Sequence, residues 1–194
     1  STVSFTVPQV VAAAEAYRRG RARAERSGVR PAPCYAVIMI GRLDDYLREV
    51  AADGRLAVGE EDLRLAGLAV TKRAYGIFRE RGYQAHLLVA ALRGVHHLAG
   101  LCGAELVMSI HPGIQKLLLA PGVARIMGIQ EAVPAEPVRR LEQVAEFRKA
   151  YREDGLSASE FISFGLTQKT LSQFSASGWS LLEAFQPAQS ETGK

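Results

Sequence analysis

Along the first 120 residues, apolar runs of strand length alternate with helix-forming stretches. That alternation restricts the fold more than any other feature. Thr2–Val7 (TVSFTV), Cys34–Ile40 (CYAVIMI), His86–Ala91 (HLLVAA) and Glu105–Ile110 (ELVMSI) read as four strands. The second is apolar throughout, as expected of a strand covered on both faces. After the first strand, Pro8 suits a helix's first turn, and Val10, Val11, Ala13 and Ala14 begin an apolar stripe reaching about Tyr17. Gly41 and Arg42 read as a turn before a helix over Leu43–Val50. Glu60–Arg81 reads as one long amphipathic helix, acidic at its start and basic at its end, as the helix dipole favours. Shorter helices are expected over Gly94–Leu101 and Gly113–Leu119.

Strands separated by helices imply a parallel α/β fold with right-handed crossovers. An open doubly wound sheet and a (β/α)8 barrel both satisfy the pattern. No GxGxxG turn follows the first strand, which counts against a dinucleotide site. A barrel needs eight strands, and this chain offers about half of them. Residues 1–120 therefore read as four βα units. Residues 121–186 read as a helical extension, with helices over Glu136–Tyr151 and Ser157–Phe174 and a last turn over Trp179–Phe185. Residues 187–194 read as a polar tail, and a strand so close to Ser1 suggests a start in mid-domain.

The composition, 48% hydrophobic and 23% charged with a formal net charge of +4, is that of an ordinary folded chain. Cys34 and Cys102 sit far apart in apolar surroundings, outside any CxxC or Cys/His cluster. They read as buried thiols in a reducing, cytoplasmic setting, not as a zinc site or a disulfide. No stretch of ~18 uninterrupted apolar residues suggests a membrane span. The basic stretch Arg18–Arg30 has only Tyr17 nearby for stacking and is interrupted by Glu25, so it reads as a solvated helix end, not a nucleic-acid surface.

Functional groups of parallel α/β folds gather at the carboxyl ends of strands. Arg42 and Arg93 both follow strands closely, and two guanidinium groups there can converge on one phosphate. The competing reading pairs each with a local carboxylate, Asp44 or Asp45 in the case of Arg42. Thr2, Ser4 and Thr6 alternate, which puts them on one face of the first strand. Ser109 and His111 end the fourth strand, where a hydrogen-bonded structural His is expected. His96 and His97 are adjacent on a helix and point apart, so no metal site is expected there.

Four segments carry a family resemblance. TVSFTVPQVVAAAEA resembles the transaldolase strand that bears a Thr and leads into Phe-Ser/Thr-x-x-Gln and an Ala-rich helix. YAVIMIGRLDDYL resembles the next strand with its Gly-Arg. VAALRG resembles the Ala-Ser-Phe-Arg-Asn strand end, and LVMSIHPGIQKLL resembles the last barrel strand and its helix. Order and spacing match over roughly Thr2–Leu119.

The resemblance implies the C-terminal half of a (β/α)8 TIM barrel with extra C-terminal helices. It implies a transferase of the pentose phosphate pathway, a class I aldolase that moves a dihydroxyacetone unit between sugar phosphates through a lysine Schiff base. That lysine lies on an earlier barrel strand, outside this chain, so the chain alone is expected to be inactive. Thr2 matches the water-positioning Thr, and Arg42 and Arg93 match the phosphate-binding arginines. Ser4, Met39, Ala91 and Ser109 fall in the substrate pocket. Val37 and Met39 stand where the family has Ser and Phe, and Ala91 and Gly94 where it has Ser and Asn, so phosphate binding is better kept than the sugar contacts. No metal or organic cofactor is implied. The expected partners are a sugar phosphate and either a second copy or an N-terminal half-barrel. The alternative is a non-catalytic phosphosugar-binding or structural half-barrel.

Overall fold

The computed structural model describes residues 3–122 and 127–185. They form an α/β structure, mostly helical, around a small parallel sheet. The first expected strand is absent among the described residues. Thr6 Oγ1 accepts the Gln9 N–H at 3.2 Å, and Gln9 Oε1 accepts the Phe5 N–H at 2.9 Å. This reciprocal cap, with Pro8 in the first turn, starts helix α1 (Val7–Arg26) inside the run read as a strand. Ser4 keeps one strand-like contact, its carbonyl accepting the Met39 N–H at 2.9 Å. Thr6 is thus a buried cap, Ser4 is buried beside the sheet, and Thr2 lies outside the described residues. The basic stretch is also more regular than expected, because α1 continues through Gly20 to Arg26.

Among the described residues the sheet has three strands where four were expected. They are β1 (Tyr35–Met39), β2 (His86–Ala90) and β3 (Val107–Met108), parallel and in that order. β3 is shorter than the apolar run around it, although the Ser109 N–H still reaches the Val89 carbonyl at 2.8 Å. Among the described residues only one face is covered, against the expectation of two. Ala36, Ile38, Leu87 and Val89 are buried, whereas Tyr35, Val37, Met39, His86, Leu88 and Ala90 are exposed or half-exposed.

Helix α1 packs on the covered face with α2 (Ile40–Asp53) and α4 (Ala66–Glu80). The remaining helices are α3 (Glu60–Leu63), α5 (Val95–Leu101), α6 (Pro112–Leu118), α7 (Ala135–Leu141), α8 (Ala145–Tyr151), α9 (Gly165–Phe174) and α10 (Ser180–Glu183), with a π-turn over Ser175–Trp179 before α10. Leu141, Phe147, Phe164 and Leu166 join the same core as Val7, Val10 and Leu47. Each buried side chain of this kind contributes about 1.5–3 kcal/mol. Those four therefore outweigh the exposed ion pair Arg81–Glu153 (2.6 Å), of a kind worth about 0–1 kcal/mol, in fastening the C-terminal helices to the sheet layer.

The long helix expected over Glu60–Arg81 is two helices, α3 and α4, broken at Arg64–Leu65. Asp62 at the end of α3 is held by the Arg140 fork at 2.6 and 2.8 Å. The break leaves the Gly67 N–H free of the helical ladder, and it donates to the buried Asp44 Oδ1 at 2.7 Å. Gly67 is required there, because a Cβ would lie 2.4 Å from the Ile40 carbonyl oxygen. A Cβ at Gly76, in the same helix, would meet nothing within 4 Å. Gly67→Ala should therefore destabilise by about 1–3 kcal/mol, and Gly76→Ala should stabilise by about 0.5–1 kcal/mol. Urea midpoints that shift in the same direction for both variants would contradict this packing.

Candidate functional site

Arg42 and Arg93 stand three residues beyond Met39 and Ala90, and those two residues face each other in the β1–β2 register. Neighbouring strands ~4.8 Å apart thus deliver both arginines to the carboxyl end of the sheet. Arg42 sits not in a turn but in the first turn of α2. The backbones meet closely here. The Gly41 N–H donates to the Ala91 carbonyl at 3.2 Å, and a Cβ at position 41 would lie 2.4 Å from that oxygen and from Arg93 Cγ. Ala91 has φ +57°, a left-handed conformation costing a residue with a Cβ about 1–2 kcal/mol. Its carbonyl gains two donors in return, the Gly41 N–H and Arg93 Nη1 at 2.9 Å.

Beneath Arg93 lies a buried relay. The Arg93 N–H donates to His97 Nδ1 at 3.2 Å, and His97 Nε2 lies 2.9 Å from Asp44 Oδ2. Because Nδ1 accepts, Nε2 carries the proton and donates it to Asp44. The side chains of His97 and Asp44 are 0% and 1% exposed. Asp44, one of the two local carboxylates that the competing reading offered to Arg42, is instead committed to His97 and Gly67.

The two arginines line one cavity of about 220 Å³. Asp45, Tyr46 and Glu49 of α2 complete one wall, and Leu166, Lys169, Thr170 and Gln173 of α9 form the other. Arg42 Nη1 donates to Gln173 Oε1 at 2.7 Å, and its guanidinium lies 5.0 Å from the centre of the Phe174 ring. Arg93 grips Asp45 Oδ2 through Nε at 2.8 Å and Nη2 at 2.6 Å. Asp45 also accepts from Arg48 at 2.9 Å, and Lys169 pairs with Glu49. Burial, with Glu146 and Glu49 nearby, holds the Tyr46 phenol above its ordinary pKa. Three cations against two carboxylates leave the wall net positive, which suits an anion.

The other sequence candidates lie elsewhere. Ser4, Met39, Ala91 and Ser109 do not line this cavity. His111 caps α6, accepting the Gly113 N–H at 3.1 Å. Asp44, His96 and His97 bring potential ligand atoms within 4.8 Å of one another. They do not fit a cation, since both His97 nitrogens are committed, one to the Arg93 amide and one to a proton shared with Asp44. Burial, with the Arg64 and Arg48 charges nearby, pushes the His96 pKa down to about 4, so it is neutral near pH 7. Sequence reasoning missed the α9 wall. Gln173 lies 131 residues from Arg42, and no local pattern links them.

The relay predicts that His97→Phe, which fills the same space, leaves a buried Asp44 oxygen and the Arg93 amide without partners. Stability should fall by about 2–4 kcal/mol. A lowered urea midpoint at unchanged m is the expected reading. A loss below about 1 kcal/mol would mean that water replaces the imidazole.

Among the described residues, no helix is long and apolar enough to cross a membrane. No curated protein matches the sequence significantly. A profile described as Transaldolase/Fructose-6-phosphate aldolase does match, over residues 1–184. That span takes in both arginine-bearing strand ends and the helix that closes the cavity over them, and on this match the chain belongs to the transaldolase/fructose-6-phosphate aldolase family.

Proposed function

We propose that this chain is the phosphate-anchoring, C-terminal half of a (β/α)8 barrel in a transaldolase-type class I aldolase. The complete barrel transfers a dihydroxyacetone unit between sugar phosphates through a lysine Schiff base. The observation that carries this reading is the placement of Arg42 and Arg93 at equivalent positions after register-paired strands, on one net-positive cavity. Guanidinium forks suit a phosphate ester, and a dianion can displace Asp45 from Arg93 without stranding it, because Asp45 keeps Arg48.

The half-barrel part of the reading is supported by the open face of the sheet. Tyr35, Val37, Met39, His86 and Leu88 remain exposed or half-exposed, as the lining of an uncompleted barrel would be. An N-terminal half or a second copy would cover that face and pair the open strand edge. Thr2, outside the described residues, is proposed to position the reacting water, with Ser4, Met39, Ala91 and Ser109 nearer the sugar than the phosphate.

The Schiff-base lysine is assigned to residues outside this chain. A productive lysine projects into the barrel and is desolvated enough to be neutral. The described lysines all lie on helices: Lys72 on α4, Lys116 on α6, Lys149 on α8 and Lys169 on α9. Burial lowers the Lys72 pKa, but its ammonium is spent on the carbonyls of Gly128 (2.6 Å) and Glu131. The lack of a strand lysine among the described residues also favours a second reading, a non-catalytic phosphosugar-binding or structural half-barrel.

Arg42→Ala or Arg93→Ala should weaken fructose 6-phosphate binding by about 1.5–3 kcal/mol in calorimetry. Unchanged affinity in both variants would remove the phosphate assignment.

Borohydride trapping with fructose 6-phosphate, read by intact mass, tests the chemistry. The chain alone should give no adduct, and an adduct should appear on a lysine of an added N-terminal half. An adduct on Lys72, Lys116 or Lys169 of the isolated chain would overturn the assignment, and no adduct in the restored barrel would favour the non-catalytic reading.

A further inference from the structure

We propose that α9 belongs to the ligand site, the Thr170 hydroxyl and the Lys169 ammonium binding the same phosphate ester as Arg42 and Arg93. This rests on the phosphosugar reading above and extends it to a segment more than 120 residues from Arg42.

Thr170 is the first support. It is 0% exposed, it lines the cavity, and its buried Oγ1 has no hydrogen-bond partner among the described residues. Buried hydroxyls are almost always paired, because an unpaired one loses its water without compensation. A valine of the same shape would avoid that cost. A hydroxyl kept unpaired directly behind the wall of an anion-suited cavity becomes a donor when a small local shift presents it to a ligand oxygen.

Lys169 is the second support. Its ammonium lies on the same cavity and is held by Glu49. Their side chains are 37% and 52% exposed, so the pair is solvent-screened and opens at little cost. Glu49 stays hydrated when Lys169 turns to a phosphate. Lys169, Thr170 and Gln173 stand at i, i+1 and i+4, and all three line the cavity, so α9 presents them as a set.

The wall is also fixed in place. Gln9 Nε2 donates to Thr167 Oγ1 at 3.3 Å within the core, and Leu166 is 2% exposed. A pre-positioned donor binds without the ordering cost of a mobile segment.

The test is calorimetric titration of the full chain with inorganic phosphate and with fructose 6-phosphate, beside urea unfolding of the unliganded protein. Thr170→Val should weaken binding of both about five- to tenfold while leaving the free protein equally or more stable. Lys169→Met should weaken both about three- to tenfold. Normal affinity in these two variants, with Arg42→Ala still impaired, would overturn the role of α9 and spare the phosphosugar reading. Normal affinity in all three would sink that reading as well. A Thr170→Val protein less stable than the parent would mean that the hydroxyl serves the fold, which also overturns the proposal.

Discussion

The buried pair of Asp44 and His97 is the joint on which the site depends. It gathers α2, the start of α4, α5 and the backbone leaving β2 through three hydrogen bonds, from the Gly67 and Arg93 amides and between the two side chains. Each such bond adds only about 0.5–1.5 kcal/mol net, or up to about 3 kcal/mol where a charge is involved. The larger effect is the penalty for any other arrangement, since every group involved would be buried unpaired. The relay therefore contributes less to bulk stability than to the placement of the Arg93 backbone relative to Arg42.

The side chains above that joint are held differently. Arg93, Asp45, Arg48, Glu60, Lys169 and Glu49 are joined by ion pairs between partly exposed groups. Pairs of that kind are worth about 0–1 kcal/mol each. A phosphate ester offers several charge-assisted bonds at once, so it can displace them without disturbing the relay below. Rigidity in the backbone and ease of exchange in the side chains meet at Arg93, whose amide belongs to the first and whose guanidinium belongs to the second.

Much of the sheet was legible because its code is short in range. CYAVIMI and HLLVAA are apolar runs whose composition alone selects strands, and the arginines that follow them sit where strand-end geometry directs attention. TVSFTV misled because its β-branched residues imitate a strand while Thr6, Pro8 and Gln9 encode a helix cap over the same stretch. The break before Ala66 was hidden because the Asp44 carboxylate that receives the freed Gly67 N–H lies 23 residues away. His97 and Asp44 are 53 residues apart, and each reads alone as an unremarkable polar residue on a helix. Thr170, Lys169 and Gln173 were invisible for the same reason, since only packing brings α9 to the strand ends.

The close approach at Gly41 ties the two strand ends together. Met39 and Ala90, from which the arginines are counted, stand one strand repeat apart, about 4.8 Å, and the Gly41–Ala91 hydrogen bond carries that closeness past the ends of the strands. A side chain at position 41 would force the strand ends apart. On the phosphosugar reading proposed above, descendants of this scaffold could change which sugar they hold by exchanging residues around the cavity, while the spacing of the two strand ends stayed fixed.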